Sequence, residues 1–210
     1  MRNKIVILVL GILLYCGGLA QAVPITIQIS GNVTSASGSA LPSTIHKDVT
    51  FTGTYTYESS TDDSGGGHYW HDAPYGITLS LGGYEFKTAP NHVGKFEIRI
   101  ANDNPNTPTG EVWDSYSVHS EQNASTNSLW VGGISWNLRD STHTAISSTA
   151  LPLTAPVLSM WNSNYLEIYG GDAGVGYVNF YIGGTVTQAT PEPLTGVLMA
   201  MGVLFFRRRR

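Results

Sequence analysis

Apolar and polar residues alternate along most of this chain with a period of two. Ile25, Ile27 and Ile29 are separated by Thr26, Gln28 and Ser30. The cleanest run is 48–58, DVTFTGTYTYE. Val49, Phe51, Tyr55 and Tyr57 fall on one side of it, with Gly53 in the same row; Thr50, Thr52, Thr54 and Thr56 fall on the other. Successive strand residues project to opposite faces, so the pattern predicts a half-buried strand in an antiparallel sheet. Gly53 leaves a gap in the apolar row, the mark of a bulge or of a close approach by a neighbour. Segments 75–81 and 84–87 flank Gly82-Gly83, a two-residue hairpin signal. Phe96, Ile98 and Ile100 alternate again, and Val112, Tyr116 and Val118 do so with Asp114 breaking the row. Segment 129–138 contains Gly132-Gly133 and reads as a second hairpin or a bulged strand; 166–169 and 175–186 complete roughly nine to eleven strands. Between 23 and 188 no stretch carries a helical period. The predicted fold is all-β: an antiparallel β-sandwich of two sheets face to face, with jelly-roll or immunoglobulin-like topology.

The two ends depart from this pattern. The chain starts MRNKIVILVLGILLYCGGLAQA, with Arg2 and Lys4 before an apolar stretch and then the A-x-A site Ala20-Gln21-Ala22. That order is a secretory signal peptide in form, a short apolar helix cut after Ala22 by signal peptidase. A lipoprotein signal at Cys16 is the competing reading, opposed by the bulky Tyr15 before it. At the other end Pro191-Glu192-Pro193 precedes 194–206, a run of 13 residues without charge, and then Arg207, Arg208, Arg209 and Arg210. As a helix the run spans about 20 Å at ~1.5 Å per residue, short of the ~30 Å hydrocarbon core. The arginines would hold that end on the cytoplasmic side.

Composition narrows the class further. Charged residues are 12% of the 210, about half the usual share of roughly 25%. Coiled coils, basic nucleic-acid binders and acidic disordered tails are excluded. Six of the 11 lysines and arginines sit at the two ends, which leaves 23–190 with five basic and 14 acidic residues, a net charge of −9. Such a body repels nucleic acid and acidic membranes and attracts cations. The single cysteine, Cys16, lies in the leader. The body therefore has no disulfide, thiolate metal site or cysteine nucleophile.

The C-terminal order of Pro-Glu-Pro, apolar run and arginine cluster resembles the PEP-CTERM sorting signal of exported bacterial proteins. The resemblance implies passage through the Sec translocon to the inner membrane. It implies recognition of Pro191, Glu192 and Pro193 by an exosortase, a membrane cysteine protease, and an association with exopolysaccharide or biofilm. The body is also similar to a common ectodomain of such proteins. The similarity lies in FTGTYTYESSTDD with LSLGGYEF, and in WNLRDS with ALPLTAPVLSMW and NYLEIYG. Glu58 stands where an aspartate is expected. These are patterns of strand and turn and imply no activity. The resulting division is 1–22 signal peptide, 23–188 sandwich ectodomain, and 189–210 sorting signal. Within the last, 194–206 forms a short apolar membrane helix and 207–210 the basic tail.

Candidate chemistry in the body is sparse. Asp62, Asp63, His68, His71 and Asp72 crowd into SSTDDSGGGHYWHDAP. Carboxylates and imidazoles bind calcium or zinc, but no helix aligns the histidines and no EF-hand spacing exists. The segment reads as a polar solvated loop, with Asp62 and Asp63 the calcium ligands if any metal binds. Asn102-Asp103-Asn104-Pro105-Asn106 reads as Asx and proline turns. Glu97, Glu111, Asp114 and Glu121 offer carboxylates for a glycosidase pair at ~5–10 Å, yet nothing marks a pair, and Glu97 is expected to face solvent. There is no G-x-S-x-G, and Gly65-Gly66-Gly67 lacks the lysine of a phosphate loop. Of Trp70, Trp113, Trp130, Trp136 and Trp161, Trp70 is the best candidate for an exposed ring that stacks on sugar. No catalytic residue, cofactor or resident metal is assigned. The function expected is that of an exported surface or matrix protein without catalytic activity; the alternatives are a glycan-binding module and, behind it, a secreted hydrolase.

Overall fold

Alternation in the sequence becomes alternation in burial. In the computed structural model, which describes residues 23–106, 111–126, 129–172 and 178–192, Ile25, Ile27, Ile29 and Val33 of β1 (Pro24–Gly38) are buried. Phe51, Tyr55 and Tyr57 of β2 (Thr50–Glu58) join them, while the threonines between face outward. The other strands among the described residues are β3 (His68–His71), β4 (Gly76–Leu81), β5 (Tyr84–Thr88), β6 (Phe96–Asn106), β7 (Glu111–Ser120), β8 (Asn123–Ser125), β9 (Leu129–Asp140), β10 (Ser163–Asp172) and β11 (Phe180–Pro191). A single 3-10 turn, Leu158–Met160, is the helical element among them. No described helix is long and apolar enough to cross a membrane. The two expected end helices lie outside the described residues.

All strands join one continuous antiparallel sheet in the order β3-β6-β7-β9-β10-β11-β1-β2-β4-β5-β8. The sheet curls until its distant parts meet. Tyr55 on β2 and Tyr116 on β7 share a hydroxyl–hydroxyl hydrogen bond of 3.0 Å, and Thr88 on β5 bonds Ser120 on β7 at 2.9 Å. Trp136 on β9, fully buried, stands edge-on to both tyrosine rings, 5.9 and 6.1 Å between centroids. Curling lets one face bury the whole apolar set in a single core; truncating an aromatic in such a core costs about 3–5 kcal/mol.

Particular sequence signals find their place. Gly82 (φ 58°) and Gly83 (φ 85°) link β4 to β5. Both central positions of this hairpin turn need positive φ, which glycine meets without a Cβ clash. Gly132-Gly133 lies within the single strand β9, whose pairing with β10 shifts register between Tyr169 and Gly170, so the bulged-strand alternative holds. Gly53 marks a close approach rather than a bulge, since β2 keeps register on both sides. A Cβ there would sit 2.3 Å from the Thr78 carbonyl oxygen.

Two expectations are corrected. The segment expected to be a solvated loop becomes strand β3 at His68–His71, because β6 provides a pairing edge. Asn102-Asp103-Asn104-Pro105-Asn106 is not a set of turns but the end of β6, bulged against β7 between Ala101 and Asn104, with Asp103 at φ 50°.

Segment 141–162 lies over the core between β9 and β10. Ile146, Leu151, Ala155, Leu158 and Trp161 pack against the core. Tyr57 donates its hydroxyl to the Pro152 carbonyl at 2.6 Å and Tyr69 to that of Thr149 at 2.8 Å. Backbone carbonyls of a loop without regular pairing thus find buried partners.

Candidate functional site

The outward faces of β11, β1, β2 and β4 form a polar trough. Register brings Thr190, Gln28, Thr54 and Thr78 into one transverse row. Gln188, Ser30, Thr52 and Ser80 form the next. The hollow above them holds about 390 Å³, its floor including Ile29 and Gly53. A second hollow of about 440 Å³ shares Thr52 and Ser80 and continues to Tyr84 and Glu85 on β5. There the rows end at Lys87 and Glu85, which neutralise each other at 2.7 Å. The four central strands carry no charge into the trough. Only the threonines of β2 were visible as a set beforehand; the others arrive from strands distant in sequence.

The loop before β3 holds its own anion. Asp63 Oδ1 accepts from the backbone N–H groups of Gly65 (2.8 Å), Gly67 (3.0 Å) and His68 (3.1 Å), and Oδ2 from Gly67 (3.0 Å). Gly65, Gly66 and Gly67 all have positive φ, and a Cβ on Gly67 would lie 1.8 Å from the Ile100 carbonyl oxygen. Successive N–H groups in this conformation make an anion-holding nest. Asp63 fills it, and these bonds, first that from Gly65, hold its carboxyl below the usual range. Asp62 is exposed beside it. The two calcium candidates therefore do different things, and the oxygens of Asp63 are taken by N–H donors.

Glu97 corrects a further expectation: it is 8% exposed rather than solvent-facing. On the outer face of β6 it sits between Trp70 of β3 and His119 of β7 in register, and His68 Nδ1 contacts its Oε1. Flanking strands cover what alternation alone assigns to water. His71, on the inner face of β3, is 3% exposed among Tyr57, Tyr75 and Phe96. Its Nδ1 meets Thr61 Oγ1 at 3.1 Å and its Nε2 has no partner. Burial pushes its pKa down to about 4; Asp72 opposes the shift and His92 adds to it.

At the far end of β7 and β9, Asp114 and Asp140 lie opposite each other, both fully buried. Asp114 accepts the N–H of Asp103 (3.0 Å) and of Ile146 (3.1 Å). Asp140 accepts those of Thr142 (2.9 Å), Thr144 (2.9 Å) and Ala145 (3.1 Å). The N–H groups of Thr144 and Thr142 hold its carboxyl down at about 2. Among the described residues Asp103, Asp114 and His143 bring three potential metal-ligand atoms within 4.8 Å. His143 Nδ1 lies 3.1 Å from Asp103 Oδ1, so internal bonds already account for the cluster. Sequence reasoning noted Asp114 as a break in an apolar row and missed Asp140 and His143.

The remaining carboxylates of the hydrolase reading are placed separately. Glu111 is exposed at the start of β7, and Glu121 pairs with Lys95 at 2.8 Å. Trp70 is exposed as expected, Trp130 equally so at 38%, and Trp113 lies under the Arg139 guanidinium at 4.8 Å. Of the sorting-signal residues, Pro191 ends β11 and Glu192 donates its backbone N–H to the Thr26 carbonyl at 3.0 Å. Pro193, Arg207, Arg208, Arg209 and Arg210, like Ala20 and Ala22 at the expected leader cleavage site, lie outside the described residues.

Compared with family models, curated proteins and solved structures, the chain has no match.

Proposed function

We propose that the chain is an exported surface or matrix protein without catalytic activity. Its leader directs it through the Sec translocon, and its C-terminal signal arrests it at the inner membrane for trimming by an exosortase. The observation that supports this reading is how the first and last described strands lie. β1 starts at Pro24, two residues beyond Ala22, and β11 ends at Pro191, the first residue of Pro-Glu-Pro. The two strands are antiparallel neighbours, with Ile27 opposite Pro191. The start of β1 and the end of β11 therefore lie at the same end of adjacent strands, a geometry suited to two signals that address one membrane.

We infer further that the curled sheet packs as a sandwich, its halves facing through Tyr55, Tyr116 and Trp136. The one buried pair of carboxylates among the described residues, Asp114 and Asp140, is engaged by backbone N–H groups, which supports a structural rather than a hydrolytic role for it.

The test is processing in a host that carries a matching exosortase. N-terminal sequencing of the exported protein should read VPITIQ, and intact mass should show loss of the tail. Glu192→Ala should leave the protein membrane-bound and unprocessed. Replacement of all four terminal arginines by serine should release it with the tail intact, because each arginine resists transfer by roughly 2.5–3.5 kcal/mol. Parent-like localisation and trimming of both variants would refute the reading.

A further inference from the structure

We propose that the outer trough across β11, β1, β2 and β4 is a binding site for a neutral polysaccharide chain. The first support is the state of its hydroxyl groups. Several threonines elsewhere in the fold are engaged: Thr88 bonds Ser120, and Thr142 and Thr144 bond Asp140. Among the described residues, nothing takes the side-chain oxygen of Thr52, Thr54, Thr78 or Ser80 as a partner. Each is a donor and acceptor at once, and so is every sugar hydroxyl, so the two surfaces pair reciprocally.

Charge selects within the carbohydrates. The body carries a net −9, and among the described residues the one cation at the trough, Lys87 on β5, is already neutralised by Glu85. An acidic polymer would meet repulsion and no counter-charge. A protein partner is disfavoured on other grounds: interface energy concentrates in aromatic and arginine anchors seated in pockets, neither residue type lines the hollow across β11, β1, β2 and β4, and Tyr84 stands only at the adjoining one.

Shape fits an extended polymer. Neighbouring strands stand about 4.8 Å apart, so four of them span roughly 14 Å. Each strand therefore offers a hydroxyl or amide at intervals comparable to the advance of one sugar ring along a chain. The hollow of about 390 Å³ lies within the usual range of ligand clefts, roughly 300–1,000 Å³. The trough is open and its floor lacks an aromatic, so a short oligosaccharide should bind with a Kd of roughly 1 mM. Repeated engagement along a polymer would raise the apparent affinity.

This inference relies on the export reading only for where the polymer is met; binding itself is read on purified protein. The experiment is native affinity electrophoresis of the full chain through gels containing a neutral glucan, a neutral galactan or alginate. A neutral polymer should retard the protein and alginate should not. The triple variant Thr52→Val/Thr54→Val/Thr78→Val keeps side-chain shape and should weaken binding at least tenfold. Gln28→Ala with Ser80→Ala, both on exposed positions, gives a second arm should the triple variant lose its fold by circular dichroism. Ser117→Ala on the outer face of β7 and Trp70→Ala/Trp130→Ala should bind like the parent.

Three results would overturn the proposal: no retardation by either neutral polymer, undiminished binding by the trough variants, or binding lost with the tryptophans instead. So would a dimer in sedimentation equilibrium that the trough variants disperse, which would assign the face to a second copy. Failure of export with binding intact would refute the localisation reading alone.

Discussion

Asp140 ends β9 with its carboxylate turned into the loop that follows. Three backbone N–H groups and two threonine hydroxyls converge on its two oxygens. Donors of this kind stabilise the charged form, which is why its pKa falls from 3.8 to about 2. The stabilisation is present in full above the ordinary value and is lost as pH falls toward 2. Asp140→Asn keeps the shape but turns an amide N–H₂ toward donors that need an acceptor. The variant should melt at a lower temperature than the parent at pH 7, with the gap closing near pH 2. Amide exchange in 142–145 should be faster than in the parent. Equal melting temperatures at both pH values would show that the loop is held by its apolar contacts instead.

At the scale of the element, β2 shows how one strand meets two demands. Its inner row fills the core with Phe51, Tyr55 and Tyr57, and its outer row lays threonines into the trough. Gly53 is the inner-row position where β4 comes too close for any side chain. A Cβ would lie 2.3 Å from the Thr78 oxygen and 2.6 Å from Leu79 Cδ2. Gly53→Val should therefore push β4 off β2 and lower stability by about 1–3 kcal/mol in chemical denaturation, in line with overpacking of a rigid site. Thr52→Val, one residue away on the exposed face, should stay within about 0.5 kcal/mol of the parent. A Gly53→Val protein as stable as the parent would mean that the two strands can separate without loss.

For the whole molecule, acid should act in two stages. His71 is buried among aromatic rings with an unpartnered Nε2, and its pKa falls from 6.5 to about 4. A histidine whose folded pKa is depressed favours folding while neutral. Its contribution is complete above pH 6.5 and is lost as pH falls from there to about 4, an effect of about 2–3 kcal/mol. The carboxylates held low by hydrogen bonds, Asp63 and Asp140, and Glu121, held low first by its bond from Lys95, weaken the fold only at lower pH. His71→Phe keeps the ring contacts with Tyr57, Tyr75 and Phe96 and removes the upper stage. Urea denaturation from pH 7 to 4.5 should show a flat profile for the variant and a falling one for the parent. Parallel profiles would place the proton elsewhere.

Period-two alternation already contained most of the strands and the inward side of each, because a side chain's face follows from its parity within a strand. The hairpin at Gly82-Gly83 was equally local, since the turn's dihedral angles demand glycine there. Asp114 showed as a polar residue in an apolar row, but its partners did not, because Asp103 and Ile146 reach it only after β6 bulges and 141–162 folds over the core. Burial of Glu97 and the existence of β3 depended on strands that lie beside them in space, and parity carries nothing about lateral neighbours. The same holds for the trough. The threonines of β2 are legible in one segment, yet Gln28, Thr78, Ser80, Gln188 and Thr190 join them only through strand order and register. Sequence thus determined the two faces of the strands that alternation marked, because those faces are set by covalent geometry. Only the tertiary structure decided which outward faces adjoin, because that is settled by burying one common core.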